Sequence, residues 1–259
     1  MANKTILSID FDFFVREKLE WDWGHRESPL FIETIWPIRA STMLAKGLDF
    51  AAEAGIIGKP SELISDLENQ KWKFRKDFKL SIAESHSSAY YSLKGKKNLE
   101  IINIDAHHDI SYGQTDSLSC GNWIYRLALE GSVKKVTIVY PEWRKEQNFD
   151  YPSDEVLSDL RNLGVEVDIV YGIQSVEPKT VSEVFIARSG AWVPPWTDND
   201  FMDFISTWIF KANNCFIYTY ESLEQFRRKF NLEEVKKCAE ETKKHLEEMK
   251  ELHPGKIFI

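Results

Sequence analysis

The sequence predicts an α/β fold: a three-layer α/β/α sandwich built on a mostly parallel sheet. Three observations carry that expectation. Short β-branched runs alternate with helical stretches along most of the chain. Most of those runs are continuously apolar, as strands covered on both faces are. One unit, DEVLSDLRNLGVEVDIVYG from Asp154, reads as an amphipathic helix, Gly164 as a stop and then a buried strand.

The elements follow in order. TILSI (Thr5–Ile9) opens as an apolar strand, followed by helices over Ile32–Glu53 and Ser61–Asn69. KLSIA (Lys79–Ala83) is the second strand and precedes a helix over Ser87–Leu93. LEIINI (Leu99–Ile104), a helix over Asn122–Glu130, and VTIVY (Val136–Tyr140) come next. The helix Asp154–Leu163 leads into VEVDIVY (Val165–Tyr171), then VFIA (Val184–Ala187). A helix over Asp198–Asn213 and the strand CFIY (Cys215–Tyr218) complete the alternation. No repeat, low-complexity tract or linker-like shift divides the chain, so residues 1–259 are expected to form one domain. The run Leu232–His253 carries Leu232, Val235, Ala239, Thr242, Leu246 and Met249 at a/d-like spacing. It reads as an amphipathic helix laid on the domain, with a homo-oligomeric coiled-coil contact as the alternative.

Composition narrows the function classes. With 33 Lys+Arg against 41 Asp+Glu the formal charge is −8, which argues against a protein that neutralises nucleic-acid phosphates. No apolar run reaches the roughly 18–20 residues that span a bilayer, and MANKTILSIDFD meets carboxylates too early for a secretory signal. Cys120, Cys215 and Cys238 are odd in number and widely spaced, the pattern expected of a cytoplasmic protein.

Two motifs sit where strands end, at the edge where ligands bind in open parallel sheets. LSIDFDFF places Asp10 and Asp12 there, and IINIDAHHDIS places Asp105, His107, His108 and Asp109. On an extended segment, residues two apart project to one side. Asp10 and Asp12 are therefore expected to point together, as are Asp105, His107 and Asp109, with His108 turned away. Carboxylates at that density repel one another unless a cation neutralises them, and mixed carboxylate and imidazole donors suit Mn²⁺ or another divalent ion. His86, just beyond the strand KLSIA, is a further candidate donor; a capping or core role is its alternative.

These stretches resemble the ureohydrolase (arginase-like) family, and more narrowly the peptide arginases. SIDFDFF, AESHSSAYY, IDAHHD, SCGNWIYRLALEG and IARSGAWVPPW carry the resemblance, over roughly residues 5 to 200. In ordinary arginases the D-x-D element follows D-A-H-x-D, whereas here it opens the chain. The resemblance implies an arginase-like fold and two Mn²⁺ ions held by Asp10, Asp12, His86, Asp105, His107 and Asp109. Four carboxylates and two divalent ions balance in charge. It further implies hydrolysis of an arginine guanidinium to ornithine and urea.

The resemblance also shows departures. Arginases carry a histidine just after the G-N of the matching segment, where this chain has Trp123 and Ile124. His25 is the expected replacement acid, with Asp109 relaying a proton from water. Asn122, Trp23, Glu27 and Arg188 are the candidate substrate contacts; for the carboxylate that clamps guanidinium, Glu20, Glu27 and Glu84 all qualify. Arg188 and Ser189 could contact substrate or anchor an aspartate ligand. Trp21, Trp23, Trp192 and Trp196, the last two in a segment stiffened by Pro194 and Pro195, could flank a cation or belong to the core. No match exists for the arginase residues that bind the α-carboxylate and α-amine of free arginine, so an arginine-containing peptide is the expected substrate. The competing readings are a deacetylase- or agmatinase-like hydrolase, a haloacid-dehalogenase-type phosphatase using Asp10 and Asp12, and a non-catalytic metal- or peptide-binding protein.

Overall fold

The computed structural model describes residues 4–16, 27–111, 117–146, 151–212, 217–219 and 228–252. In chain order these form β1 (Lys4–Asp10), α1 (Pro29–Ala45), α2 (Phe50–Glu53), α3 (Leu63–Asn69), β2 (Lys73–Ala83), α4 (Ser88–Leu93) and β3 (Leu99–Ile104). Then follow α5 (Trp123–Leu129), β4 (Val133–Tyr140), α6 (Asp154–Asn162), β5 (Glu166–Tyr171) and β6 (Thr180–Ala187). The remaining elements are α7 (Asp198–Lys211), β7 (Ile217–Thr219) and α8 (Leu232–Leu252).

The strands form one sheet in the order β5-β4-β3-β1-β6-β2-β7, and every pairing is parallel. Consecutive residues of the central strands face opposite layers, and both faces are apolar. Leu7, Ile9, Leu80, Ile82, Ile102 and Ile104 pack with α3 and α7. Ile6, Ile101, Val136, Ile138 and Phe185 pack with α4, α5 and α6. The three-layer α/β/α sandwich is thus the observed fold. No helix among the described residues is long and apolar enough to cross a membrane.

Register sets the site. Ile9 pairs Ile104, and Asp10 and Ala83 both pair Ala187. The carboxyl ends of β3, β1, β6 and β2, four neighbouring strands, therefore finish level. The opening D-x-D motif emerges beside the central D-x-H-x-D motif, and His86 emerges at the same edge.

Three expectations need correction. The helix over Ile32–Glu53 is two helices, because Gly47 takes a left-handed conformation (φ 76°) and Asp49 caps a new start, accepting from Ala51 N at 3.0 Å. β2 begins at Lys73, six residues earlier than the apolar run, since the charged stretch before Phe78 pairs β6 through an irregularity. The two motifs do not stay extended beyond their strands, as described below. In the C-terminal helix Val235 and Ala239 are buried where α8 meets α1, while Thr242, Leu246 and Met249 are half-buried.

A buried Asp/His cluster at the sheet edge

Both motifs converge by the same device. Asp10 Oδ1 accepts the backbone N–H of Asp12 at 3.2 Å, and Asp105 Oδ1 accepts that of His107 at 2.7 Å. Each first aspartate thus bonds its own backbone two residues on, an Asx-turn that bends the chain out of the strand. After Asp10 the chain enters a 3-10 turn over Phe11–Phe14. After Asp105 it bends until Asp109, whose backbone is left-handed at φ 51°. Side-chain convergence therefore comes from the turns and not from the alternation of an extended segment.

Six side chains meet there. His86 Nδ1 lies 3.1 Å from Asp10 Oδ2, 3.0 Å from Asp105 Oδ2 and 2.9 Å from Asp109 Oδ2. His107 Nδ1 lies 2.9 Å from Asp12 Oδ2 and 3.6 Å from Asp105 Oδ1. Two groups of atoms could each hold a metal ion: Asp10, His86 and Asp105, and Asp12, Asp105 and His107. Asp105 belongs to both, presenting one oxygen to each.

A cation fits this donor set. His86 Nδ1 is fully buried and faces three carboxylate oxygens, yet hydrogen-bonds none of them. Its Nε2 bonds the Ser8 hydroxyl at 2.7 Å, which leaves Nδ1 as a donor atom aimed among the oxygens. The titration behaviour agrees. Burial, reinforced by the neighbouring aspartates, raises the carboxyls of Asp10 and Asp12 and pushes Asp109 up to about 7. Asp105 is lowered: burial opposes its ionisation, but the hydrogen bond from His107 and the adjacent His86 and His107 imidazoles prevail. Four buried carboxyls this close do not all ionise unaided, and divalent cations would supply the missing charge.

Neutral groups hold the ligands in place. Asn103 Nδ2 donates to Asp105 Oδ2 at 3.0 Å, and Ser189 Oγ donates to Asp10 Oδ2 at 2.5 Å. Ser189 reaches that position with φ 52°, a left-handed backbone costing about 1–3 kcal/mol in a residue other than glycine. Trp123 Nε1 donates to Asp109 Oδ2 at 2.8 Å. Ser8 and Asn103 stand outside the two motifs, although the sequence carries a signal for them. Each is a polar residue in an apolar strand, two positions before Asp10 or Asp105 and hence on the same face. His108 lies outside both groups of candidate ligands; its Nδ1 accepts Ile110 N at 3.1 Å and burial lowers its imidazole to about 3.

The other sequence candidates fall in different places. His25, Trp23, Trp21, Glu20, His253 and Cys215 lie outside the described residues. Asn122 is buried and spends its amide on the loop before α5, accepting from Ser119 N at 2.9 Å and donating to Ser117 O at 2.8 Å. Glu84 and Arg188 bond each other in two places, and Arg188 Nη1 also reaches Asp198 Oδ1 at 3.2 Å. Both are thus committed to a buried ion-pair network. Glu27 is different. One oxygen accepts from Ser85 Oγ, while Oε1 is buried without a hydrogen-bond partner. Burial pushes its carboxyl up to about 8; the Ser85 bond opposes this, and Asp10, Glu84 and Asp109 add to it. Trp192 stacks obliquely on His107 with ring centroids 4.6 Å apart, whereas Trp196 packs on Trp36 and Phe50 and donates to Ala54 O. Cys120, half-buried, feels the charges of Glu27 and Asp109, a neighbourhood its spacing in the sequence did not reveal.

No family model and no curated protein matches the sequence. Among solved structures, the chain is similar to a hypothetical agmatinase from Burkholderia thailandensis at 12% identity, over 82% of this chain and 87% of that one. The TM-score is 0.28, too slight a likeness to carry an argument about family or activity. What stands on the chain's own geometry is an α/β protein with an Asp/His cluster able to hold divalent metal at the carboxyl edge of its sheet.

Proposed function

We propose that the chain is a dinuclear metal hydrolase that cleaves the guanidinium group of a peptidyl arginine, leaving ornithine and releasing urea, with two Mn²⁺ as the resident ions. The observation that carries this reading is the position of Asp105, shared between two groups of candidate ligands. Asp10, Asp12, His86, Asp105 and His107 would hold divalent cations, which would lower the pKa of a bound water towards neutrality and offset negative charge in the transition state.

The chain's residues supply the rest. Glu27 Oε1, buried and unpartnered, is positioned to accept from a guanidinium N–H, and the cation in turn favours the ionised carboxyl. The ring of Trp192 beside His107 offers a face for the arginine stem. Asp109, fixed through Oδ2 by Trp123, has Oδ1 to take a proton from the attacking water. The C–O bond forms first, as the water oxygen adds to the guanidinium carbon; the C–N bond to the arginine stem then breaks as that proton passes to the departing amine. We assign His25, on the sequence reading, to the delivery of that proton.

The test is mass spectrometry of arginine-containing peptides incubated with the Mn²⁺-loaded protein. Each modified residue should lose CH2N2 and one urea should appear, with free arginine reacting poorly. Unchanged mass across a broad peptide set at full metal occupancy would overturn the reading.

A further inference from the structure

A cavity of about 1130 Å³ is lined by residues of α1, of α8 and of the segment Glu84–Ser88 that carries the candidate ligand His86. Glu27 and Ser85, which hydrogen-bond each other, line it; Ser85 immediately precedes His86, and Glu27 feels the charges of Asp10 and Asp109. Ile32, Pro37 and Ile38 of α1 make one wall, and Val235 and Cys238 of α8 the other.

We infer that this cleft binds the backbone and side chains flanking the target arginine of an extended, basic peptide; the inference rests on the hydrolase reading above. Four observations support it. The volume exceeds the roughly 300–1,000 Å³ that accommodate a small molecule. Both walls set apolar side chains among polar ones, Ile32 and Ile38 facing the cleft from α1 and Val235 from α8, as alternate side chains of an extended peptide require. Pro37 lies inside α1 and has no N–H to return to the Glu33 carbonyl four residues back. Glu33 and Pro37 both line the cavity, so the carbonyl deprived of its i+4 N–H belongs to a cavity-lining residue. Finally, the charge is acidic. Arg188 and Arg228 line the cleft but are matched by Glu84 and Asp198. Apart from Glu27, that leaves Glu33 and Glu234 against Lys229, with no ion pair to any of these three among the described residues.

The experiment uses the full chain loaded with Mn²⁺ and a fluorescein-labelled peptide in which one arginine is flanked by alternating leucine and lysine. Binding is read by anisotropy, independently of urea release. The basic peptide should bind, and an analogue with glutamate for lysine should not. Glu234→Lys combined with Ile38→Arg, at positions on the cleft wall, should weaken binding about tenfold or more with metal stoichiometry unchanged. A bulky maleimide should block binding to the wild type but not to Cys238→Ser. Equal binding of both peptides, or indifference to the variants and the maleimide, would overturn the inference. So would a dimer that the double variant dissociates, since a second copy would then fill the cleft. Specific binding without loss of CH2N2 would retain the cleft and overturn the hydrolase reading instead.

Discussion

The indole N–H of Trp123 donates to Asp109 Oδ2 at 2.8 Å, and the same oxygen lies 2.9 Å from His86 Nδ1. Trp123 begins α5, is fully buried, and sets its ring 5.0 Å from that of His86. One side chain therefore fixes the orientation of an aspartate and packs against the imidazole facing it. Asp109 needs that restraint, because it sits in a left-handed backbone conformation reached only where surrounding contacts over-determine it.

Trp123→Phe keeps most of the ring and removes the N–H. Outer-shell partners of metal ligands are commonly worth about 10–100-fold in metal affinity or activity. A fall of that size in Mn²⁺ affinity, measured calorimetrically, is expected with the far-ultraviolet circular dichroism unchanged. Unaltered affinity would show that Asp109 is held without the indole.

Asp105 gives the sharpest test of two-ion binding. Because it faces both groups, Asp105→Asn should lose both Mn²⁺ equivalents and reduce turnover to background. His86→Ala and His107→Ala should each abolish one site and leave the other weakened. His108→Gln should retain both, since that ring serves the Ile110 N–H. Metal counting by plasma emission on the four variants checks the pattern. Equal losses at His107 and His108 would place the ligands wrongly.

Much of this site was legible because buried strands are read from apolar runs and their ends from the first carboxylates. Asp10, Asp12, Asp105, His107 and Asp109 are all found that way, and the level ends of β1 and β3 bring them together. The route to convergence was not legible. Period-two alternation picked the residues, whereas Asx-turns after Asp10 and Asp105 bring them together. Long-range pairing was also hidden: nothing local ties Asp198 to Arg228, or Glu84 to Arg188, 104 positions along the chain. The split at Gly47 was missed because apolar periodicity continues through it to Glu53.

Glu27 makes the metal-free protein sensitive to pH in a defined direction. Its folded-state carboxyl is raised to about 8, above the ordinary 4.5, so between those values the folded state holds a proton that the unfolded state has released. Stability from this group is therefore fully present below about 4.5, falls as pH rises towards 8 and is flat beyond. Glu27→Gln cannot ionise and should lose less stability across that window. Thermal midpoints of both proteins without metal, from pH 5 to pH 9, should diverge with the variant above the wild type at the alkaline end. Parallel curves would mean that Glu27 is ionised throughout.

Arg188 links the metal edge to the rest of the fold. Its guanidinium meets Glu84 through Nε and Nη2 and Asp198 through Nη1, while Glu84 Oε1 also accepts Gly190 N at 2.9 Å. Between Arg188 and Gly190 stands Ser189, whose hydroxyl reaches Asp10. Arg228 braces the same turn, donating to Gly190 O at 2.9 Å and Val193 O at 2.8 Å. Arg188→Met would leave Glu84 a buried carboxylate without its cation and is expected to cost about 3–5 kcal/mol in urea denaturation. Arg188→Lys should recover little of that, because a single ammonium cannot span two carboxylates in the forked geometry. The turn's slackening should also weaken Mn²⁺ binding through Asp10, even in variant protein that remains folded. A lysine variant with full stability and full metal affinity would show that charge alone, and not the fork, holds Ser189 against Asp10.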